Sequence, residues 1–184
     1  MNADSSAQFW LPWFTECAAT TQLINEYFRF SDYQNFSILD LVAHIDGGAR
    51  GNPGPAAIGV IVHDAHGKVL FEDGVFIGHG TNNEAEYRAL IHLLEMAVSD
   101  PQIRNSGAKK LRVCSDSLLV VNQILGLWKI KEPRLRELHG KVMEIKKAVP
   151  FELRIRHVPR EENKDADRLV NEALDRENAE KLKD

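Results

Sequence analysis

A mixed α/β fold is what this 184-residue sequence predicts, and three observations predict it. Three strand-like runs follow one another at short spacing between residues 42 and 77. Helix-like and strand-like segments then alternate to the end of the chain, and no internal repeat or low-complexity segment interrupts them. A hydrophobic fraction of 43% with charges of both signs agrees with a soluble, globular chain. The length suits one domain plus an appendage, enough to bury about two thirds of the unfolded surface.

Residues 42–45 read as the first strand. Residues 56–63 and 68–77 read as two more, divided by the turn signal Asp64-Ala65-His66-Gly67, so the three form an antiparallel meander. A helix from about Asn83 to Val98 follows, with Tyr87, Leu90, Ile91, Leu94 and Val98 along one face, and Pro101 and Gly107 bound the loop after it. Residues 110–114 form a fourth strand that leads through Asp116 into a helix ending near Gly126. Pro133 fits the first turn of a helix running to about Val149, and residues 151–157 alternate as a fifth strand. The terminal helix spaces Ala166, Leu169, Val170, Ala173 and Leu174 at helical period.

Composition excludes several classes. No apolar run approaches the roughly 20 residues needed to span a bilayer. The N-terminus has neither a basic opening nor a sustained apolar stretch, so a cytoplasmic protein without membrane contact is expected. Cys17 and Cys114 lack paired spacing and read as buried or incidental thiols. The net charge of −4 argues against a broad basic surface. Residues 1–38 account for most of it, with Asp4, Glu16, Glu26 and Asp32 against Arg29 alone.

Those first 38 residues form an extension of another kind, holding nine of the chain's aromatic side chains, among them Phe9, Trp10, Trp13, Phe14, Tyr27 and Phe28. Aromatic side chains stack on bases, but one basic residue gives little hold on phosphates. Packing on the domain or on a partner protein is the expected use, with nucleic-acid contact as the alternative.

Chemistry is concentrated in four acids at strand ends or helix starts. Asp46 opens Asp46-Gly47-Gly48-Ala49-Arg50-Gly51-Asn52-Pro53-Gly54, Glu86 follows Thr81-Asn82-Asn83, Asp116 lies in Ser115-Asp116-Ser117, and Asp167 in Asn163-Lys164-Asp165-Ala166-Asp167. Taken singly, Asp46 also reads as a turn aspartate and Asp116 as an N-cap. Carboxylates without a matching Cys/His set suit hard divalent cations. Thr81 and Glu84 fit a capping box, which occupies Glu84 and leaves Glu86 free. Asp167 shares a helix face with Val170 and Leu174, whereas Asp165 lines up with Arg168 and Glu172 and meets water.

Together these segments, in this order, resemble ribonuclease H of type I over roughly residues 39–177, in a form lacking the basic insertion that many members carry. The resemblance implies a ribonuclease H-like fold over residues 39–180, a five-stranded mixed sheet with helices on both faces. It implies an endonuclease that cuts the RNA strand of RNA/DNA hybrids with two Mg²⁺ ions, Mn²⁺ being a possible substitute, leaving 5′-phosphate and 3′-hydroxyl ends. Asp46, Glu86, Asp116 and Asp167 are then catalytic metal ligands, with Asp46 on a central strand bridging the two ions. Gly51 lies in a loop whose backbone can approach a nucleic acid closely, the resemblance assigns Asn52, Asn82 and Asn83 to the minor groove of the hybrid, and Thr81 offers a DNA-strand phosphate contact in competition with its cap role. His157, six residues before Asn163, matches the family's catalytic histidine and reads equally as a strand end.

Where other members insert a basic helix, this chain has Trp128-Lys129-Ile130-Lys131-Glu132-Pro133-Arg134. Lys129 and Lys131, with Arg134 and Arg136, offer a smaller handle for substrate, and Trp128 reads either as part of it or as a core plug. The missing insertion keeps open a broader nuclease that also cuts double-stranded RNA. A non-catalytic hybrid-binding module and a protein-interaction adaptor built on the aromatic N-terminus are the competing classes.

Overall fold

The computed structural model describes residues 40–182, and the expectations for residues 1–38 lie outside the described residues. The chain runs β1 (Asp40–Ala49), β2 (Gly54–His63), β3 (Val69–Gly80), α1 (Asn82–Ser99), α2 (Pro101–Arg104), β4 (Lys110–Ser115), α3 (Leu118–Ile124), α4 (Pro133–Ile145), β5 (Glu152–His157), a 3₁₀ turn (Arg160–Glu162) and α5 (Lys164–Lys181). The sheet order is β3-β2-β1-β4-β5, with β1 central. The meander β1-β2-β3 is antiparallel, and β1-β4 and β4-β5 are parallel. Parallel neighbours need long crossovers, which the helical segments supply.

Side chains alternate along a strand, so each strand serves two layers. Leu41, Ala43 and Ile45 of β1 join Ile58, Val60 and Val62 of β2 beneath Tyr87, Leu90 and Leu94 of α1 and Leu135 and Val142 of α4. On the opposite face Ala57 packs under Val170, Ala173 and Leu174 of α5. The five-stranded mixed sheet with helices on both faces is therefore present. Cys114 is a buried free thiol, and among the described residues no helix is long and apolar enough to cross a membrane.

Three boundaries differ from the sequence expectation. β1 does not stop at Ile45, because its pairing with β2 continues through Asp46↔Gly59 to Ala49↔Ala56, which makes Asp46 a strand residue and not a turn residue. The expected loop after α1 contains α2, whose N-cap Asp100 accepts from the amides of Gln102 and Ile103 with Pro101 in the first turn. α4 ends at Ile145, short of Val149, because Lys147, Ala148 and Val149 bond carbonyls three residues back and tighten the chain into a closing turn.

Two glycines let the helices reach the middle of the sheet. A Cβ on Gly47 would stand 2.2 Å from the backbone of Ala85 and Glu86, and one on Gly59 would stand 2.2 Å from the Ala166 carbonyl oxygen. No side chain fits at such distances. Gly47 thus admits the first turns of α1, and Gly59, opposite Asp46 on β2, admits the start of α5.

Candidate active site

Asp46, Glu86 and Asp116 arrive from three elements, and one carboxylate oxygen of each lies within 4.8 Å of the others. β1 supplies Asp46, which is 7% exposed. α1 supplies Glu86 through the close contact at Gly47. Thr81 caps α1 and Glu84 completes the capping box, its Oε2 accepting from the Thr81 amide at 2.8 Å. Glu84 therefore has a structural task, and Glu86 is left to the cluster. Asp116 follows the last residue of β4, and the cap of α3 is Ser117, whose hydroxyl accepts from the Val120 amide. Asp116 is not the N-cap, and its Oδ1 instead accepts from Asn163 Nδ2 at 2.9 Å.

This convergence is electrostatically unfavourable as it stands. Burial first, and then the Asp116 charge, push the Asp46 carboxyl up to about 6. Burial, then Asp46 and Asp116, hold Glu86 well above the ordinary carboxylate range. Glu86 Oε2 is buried and accepts no hydrogen bond. Mutually repelling, desolvated carboxylates with an unpaired oxygen suit a compact cation that satisfies all three. The donor set is oxygen alone, which fits a hard divalent ion.

Asp167 stands apart from the trio. It is half-buried on α5, within electrostatic reach of Asp46, but its Oδ1 accepts from Arg160 Nη2 at 2.9 Å and its Oδ2 from Asn171 Nδ2 at 3.1 Å. Asp165 is exposed and Arg168 pairs with Glu172, as the helix-face reading expects.

Arg160 is the functional candidate that the sequence reading missed. Its guanidinium donates to Asp167 Oδ1 and lies within electrostatic reach of Asp46 and Asp116. The available signal was a single basic residue in the short connection between His157 and Asn163. His157 itself ends β5 in register with Ser115, which is in register with Ile45. By strand alternation it shares the Ile45 face, opposite to Asp46. The basic group paired with Asp167 is Arg160, and His157 is the last residue of β5.

The other sequence candidates lie in the loop after β1, at the start of α1 and in the connection before α4. Gly51, at φ 100°, lies in a region that favours glycine, and the Arg50 amide closes the loop by donating to the Pro55 carbonyl at 2.8 Å. Asn52 and Asn82 each spend the side-chain oxygen on backbone: Asn82 Oδ1 accepts from the Ala49 amide at 2.8 Å and Asn52 Oδ1 from the Asn82 amide at 3.2 Å. Both are exposed, as is Asn83. Asn52, Thr81, Asn83, Glu84, Glu132, Arg134 and Leu135 line a cavity of about 260 Å³ between the starts of α1 and α4. The Thr81 hydroxyl is already engaged there, donating to Glu84 Oε2 at 2.9 Å and accepting from the Glu84 amide. Trp128 is 48% exposed, which removes the core-plug reading, and Lys129 and Lys131 are exposed on the same connection.

Residues 44–173 match the reverse transcriptase-like family model. The solved RNase H1 structure of Halobacterium salinarum superposes with a TM-score of 0.66 at 41% identity, covering 74% of this chain and 98% of that one. The chain belongs to the ribonuclease H type I family. A second ribonuclease H of this type, LC11-RNase H1 in complex with an RNA/DNA hybrid, superposes with a TM-score of 0.67 at 45% identity, covering 74% of this chain and 97% of that one. A bifunctional protein of Mycobacterium tuberculosis is 44% identical over 139 residues, which are 74% of this chain. The chain spans 63% of the length of the curated Halobacterium salinarum ribonuclease HI and 36% of the mycobacterial protein.

Proposed function

We propose that this protein is an endonuclease that hydrolyses the RNA strand of RNA/DNA hybrids. The observation that carries the reading is the buried trio Asp46, Glu86 and Asp116 with the unpaired Glu86 oxygen. Two Mg²⁺ ions held by the trio and Asp167, or Mn²⁺ in their place, would supply the charge that activates water and stabilises the departing oxygen. Attack at phosphorus breaks the bond to the 3′ oxygen and leaves 5′-phosphate and 3′-hydroxyl ends.

The chain's own residues do the rest. Asp46, on the central strand, would serve both ions. The guanidinium of Arg160, hydrogen-bonded to Asp167, supplies fixed positive charge beside the scissile phosphate and offsets charge that builds there. Because Asn52 and Asn82 commit their oxygens to backbone, each offers its NH₂ group outward, a donor suited to the 2′-hydroxyl that tells RNA from DNA. The cavity between α1 and α4, with Arg134 at its wall, suits a phosphate of the DNA strand, and exposed Lys129 and Lys131 add screening along the same strand. Asn83 and the loop at Gly51 complete the groove wall.

The test is digestion of matched, labelled RNA/DNA hybrid, double-stranded RNA, double-stranded DNA and single-stranded RNA with Mg²⁺ or Mn²⁺. Hybrid is expected to be cut at least ~10³-fold faster than either DNA duplex or single strand, given several kcal/mol of differential stabilisation. Equal cutting of double-stranded RNA would broaden the substrate class. Binding of hybrid without cleavage in either metal would contradict the enzyme reading.

A further inference from the structure

Arg50, like Arg160, reaches α5 from another element, and the proposed reaction gives it no task. It follows the last residue of β1, four positions beyond Asp46. Its Nη2 pairs with Asp175 Oδ1 at 2.5 Å, as Arg160 Nη2 pairs with Asp167 Oδ1 at 2.9 Å. Asp167 and Asp175 stand eight residues apart on α5, about 12 Å along the helix. One arginine therefore rests on an α5 carboxylate at the catalytic end of the helix. The other rests on an α5 carboxylate farther out, in the loop that carries Asn52.

That loop keeps its shape without the Asp175 pair. The Arg50 amide donates to the Pro55 carbonyl at 2.8 Å, the Ala49 amide to Asn82 Oδ1 at 2.8 Å and the Asn82 amide to Asn52 Oδ1 at 3.2 Å. A Cβ on Gly54 would stand 2.1 Å from the Arg50 carbonyl oxygen, so the chain closes tightly on its own backbone. The Arg50 and Asp175 side chains are meanwhile 40% and 69% exposed. A pair this open is worth little in water and is screened by salt. Its guanidinium can trade the carboxylate for another oxyanion at small cost, and the planar fork fits two phosphate oxygens as well as it fits a carboxylate.

We propose that Arg50 is a substrate-binding residue: it leaves Asp175 to hold a phosphate of the RNA strand away from the cleaved bond, and Asp175 competes for it when no nucleic acid is bound. The proposal rests on the reading of the site as a hybrid nuclease. Asn52, two residues on, is the group proposed there for the 2′-hydroxyl, so the loop offers a donor to the sugar and a cation to the backbone of one strand. Phosphate contacts carry affinity and fix register. Arg50 therefore acts on binding and not on the chemical step.

The alternative is that the pair only ties the loop to α5. Loss of either partner then has the same effect, whereas competition gives the two partners opposite effects. Anisotropy of a labelled RNA/DNA hybrid titrated with the full chain in EDTA, over a range of KCl, separates the two, with steady-state rates in Mg²⁺ alongside. Arg50→Gln is expected to weaken binding about five- to tenfold, to lower the slope of log affinity against log salt by about one, and to raise KM while kcat stays within about twofold. Asp175→Asn is expected to tighten binding about two- to threefold, and to lose that effect when Arg50 is already Gln. Parental affinity and salt slope in Arg50→Gln, no tightening in Asp175→Asn, or a tightening that persists undiminished in the double variant would overturn the proposal while leaving the nuclease reading intact. A parent that neither binds nor cuts hybrid would overturn the nuclease reading, and this proposal with it.

Discussion

Glu86 and Asp167 each sit two residues from an acidic rival on a helix that meets β1, yet the two ends of the site are built differently. Glu86 is pressed into the cluster by backbone contact at Gly47, has no cationic partner at hydrogen-bond range among the described residues, and keeps one oxygen unpaired. Asp167 is more open, is paired with the Arg160 guanidinium and accepts a hydrogen bond from the Asn171 amide. One end stores repulsion for a cation to relieve, and the other holds its charge in a pair that an arriving ion must share. Similar carboxylates thus reach one site by unlike routes, backbone approach in one case and counter-charge in the other.

Neutralising each acid in turn separates the two ends of the site most strongly. Glu86→Gln is expected to cost at least ~10³ in hybrid cleavage, since it removes a ligand from the buried trio. Asp167→Asn is expected to cost about 10², because Arg160 is freed and retains its charge beside the phosphate. Single-turnover rates check both, and an Asp167→Asn loss exceeding that of Glu86→Gln would invert the account.

Gly47→Ala tests the route by which Glu86 arrives. A methyl 2.2 Å from helix backbone cannot be accommodated without shifting α1. The expected cost is about 1–3 kcal/mol of stability, with loss of cleavage beyond what stability explains. Denaturant melts beside rates decide, and a variant with parental stability would refute the close approach.

Much of this site was legible because its signals are local. Thr81 and Glu84 announce the capping box three residues apart, and the helix periodicity of Val170 and Leu174 separates Asp167 from Asp165. What was illegible depends on partners distant in the chain. β1 continues through Gly47 and Gly48 only because β2 returns to pair with them, so the sequence there reads as a turn. Arg160 looks like any exposed loop arginine until α5 brings Asp167 to it. Asp100-Pro101 was a readable helix start, passed over because the helix it opens is four residues long.

A smaller effect concerns pH in metal-free buffer. Asp46 is raised from an ordinary 3.8 to about 6 in the folded protein. Below both values the carboxyl is protonated in folded and unfolded chains and exacts no penalty. Above both it is ionised in each, and the folded state carries the full cost of the buried charge. Stability should therefore fall as pH rises from about 4 to 6, by on the order of 2 kcal/mol from this group. Asp46→Asn should melt higher than the parent near neutral pH and lose that slope, and parallel pH profiles would contradict the burial argument. Smallest of all are the rivals: Glu84→Gln should cost about 1 kcal/mol or less in melts through its cap, and Asp165→Asn should leave both rate and stability within measurement error.

Calorimetric titration of Mg²⁺ and Mn²⁺ into the parent and Asp46→Asn tests, without reference to any substrate, whether the buried carboxylates form a cation site. Saturable binding by the parent and at least tenfold weaker binding by the variant are expected, the central ligand having lost its charge. Equal binding by both proteins, or none by the parent, would contradict a cation site there.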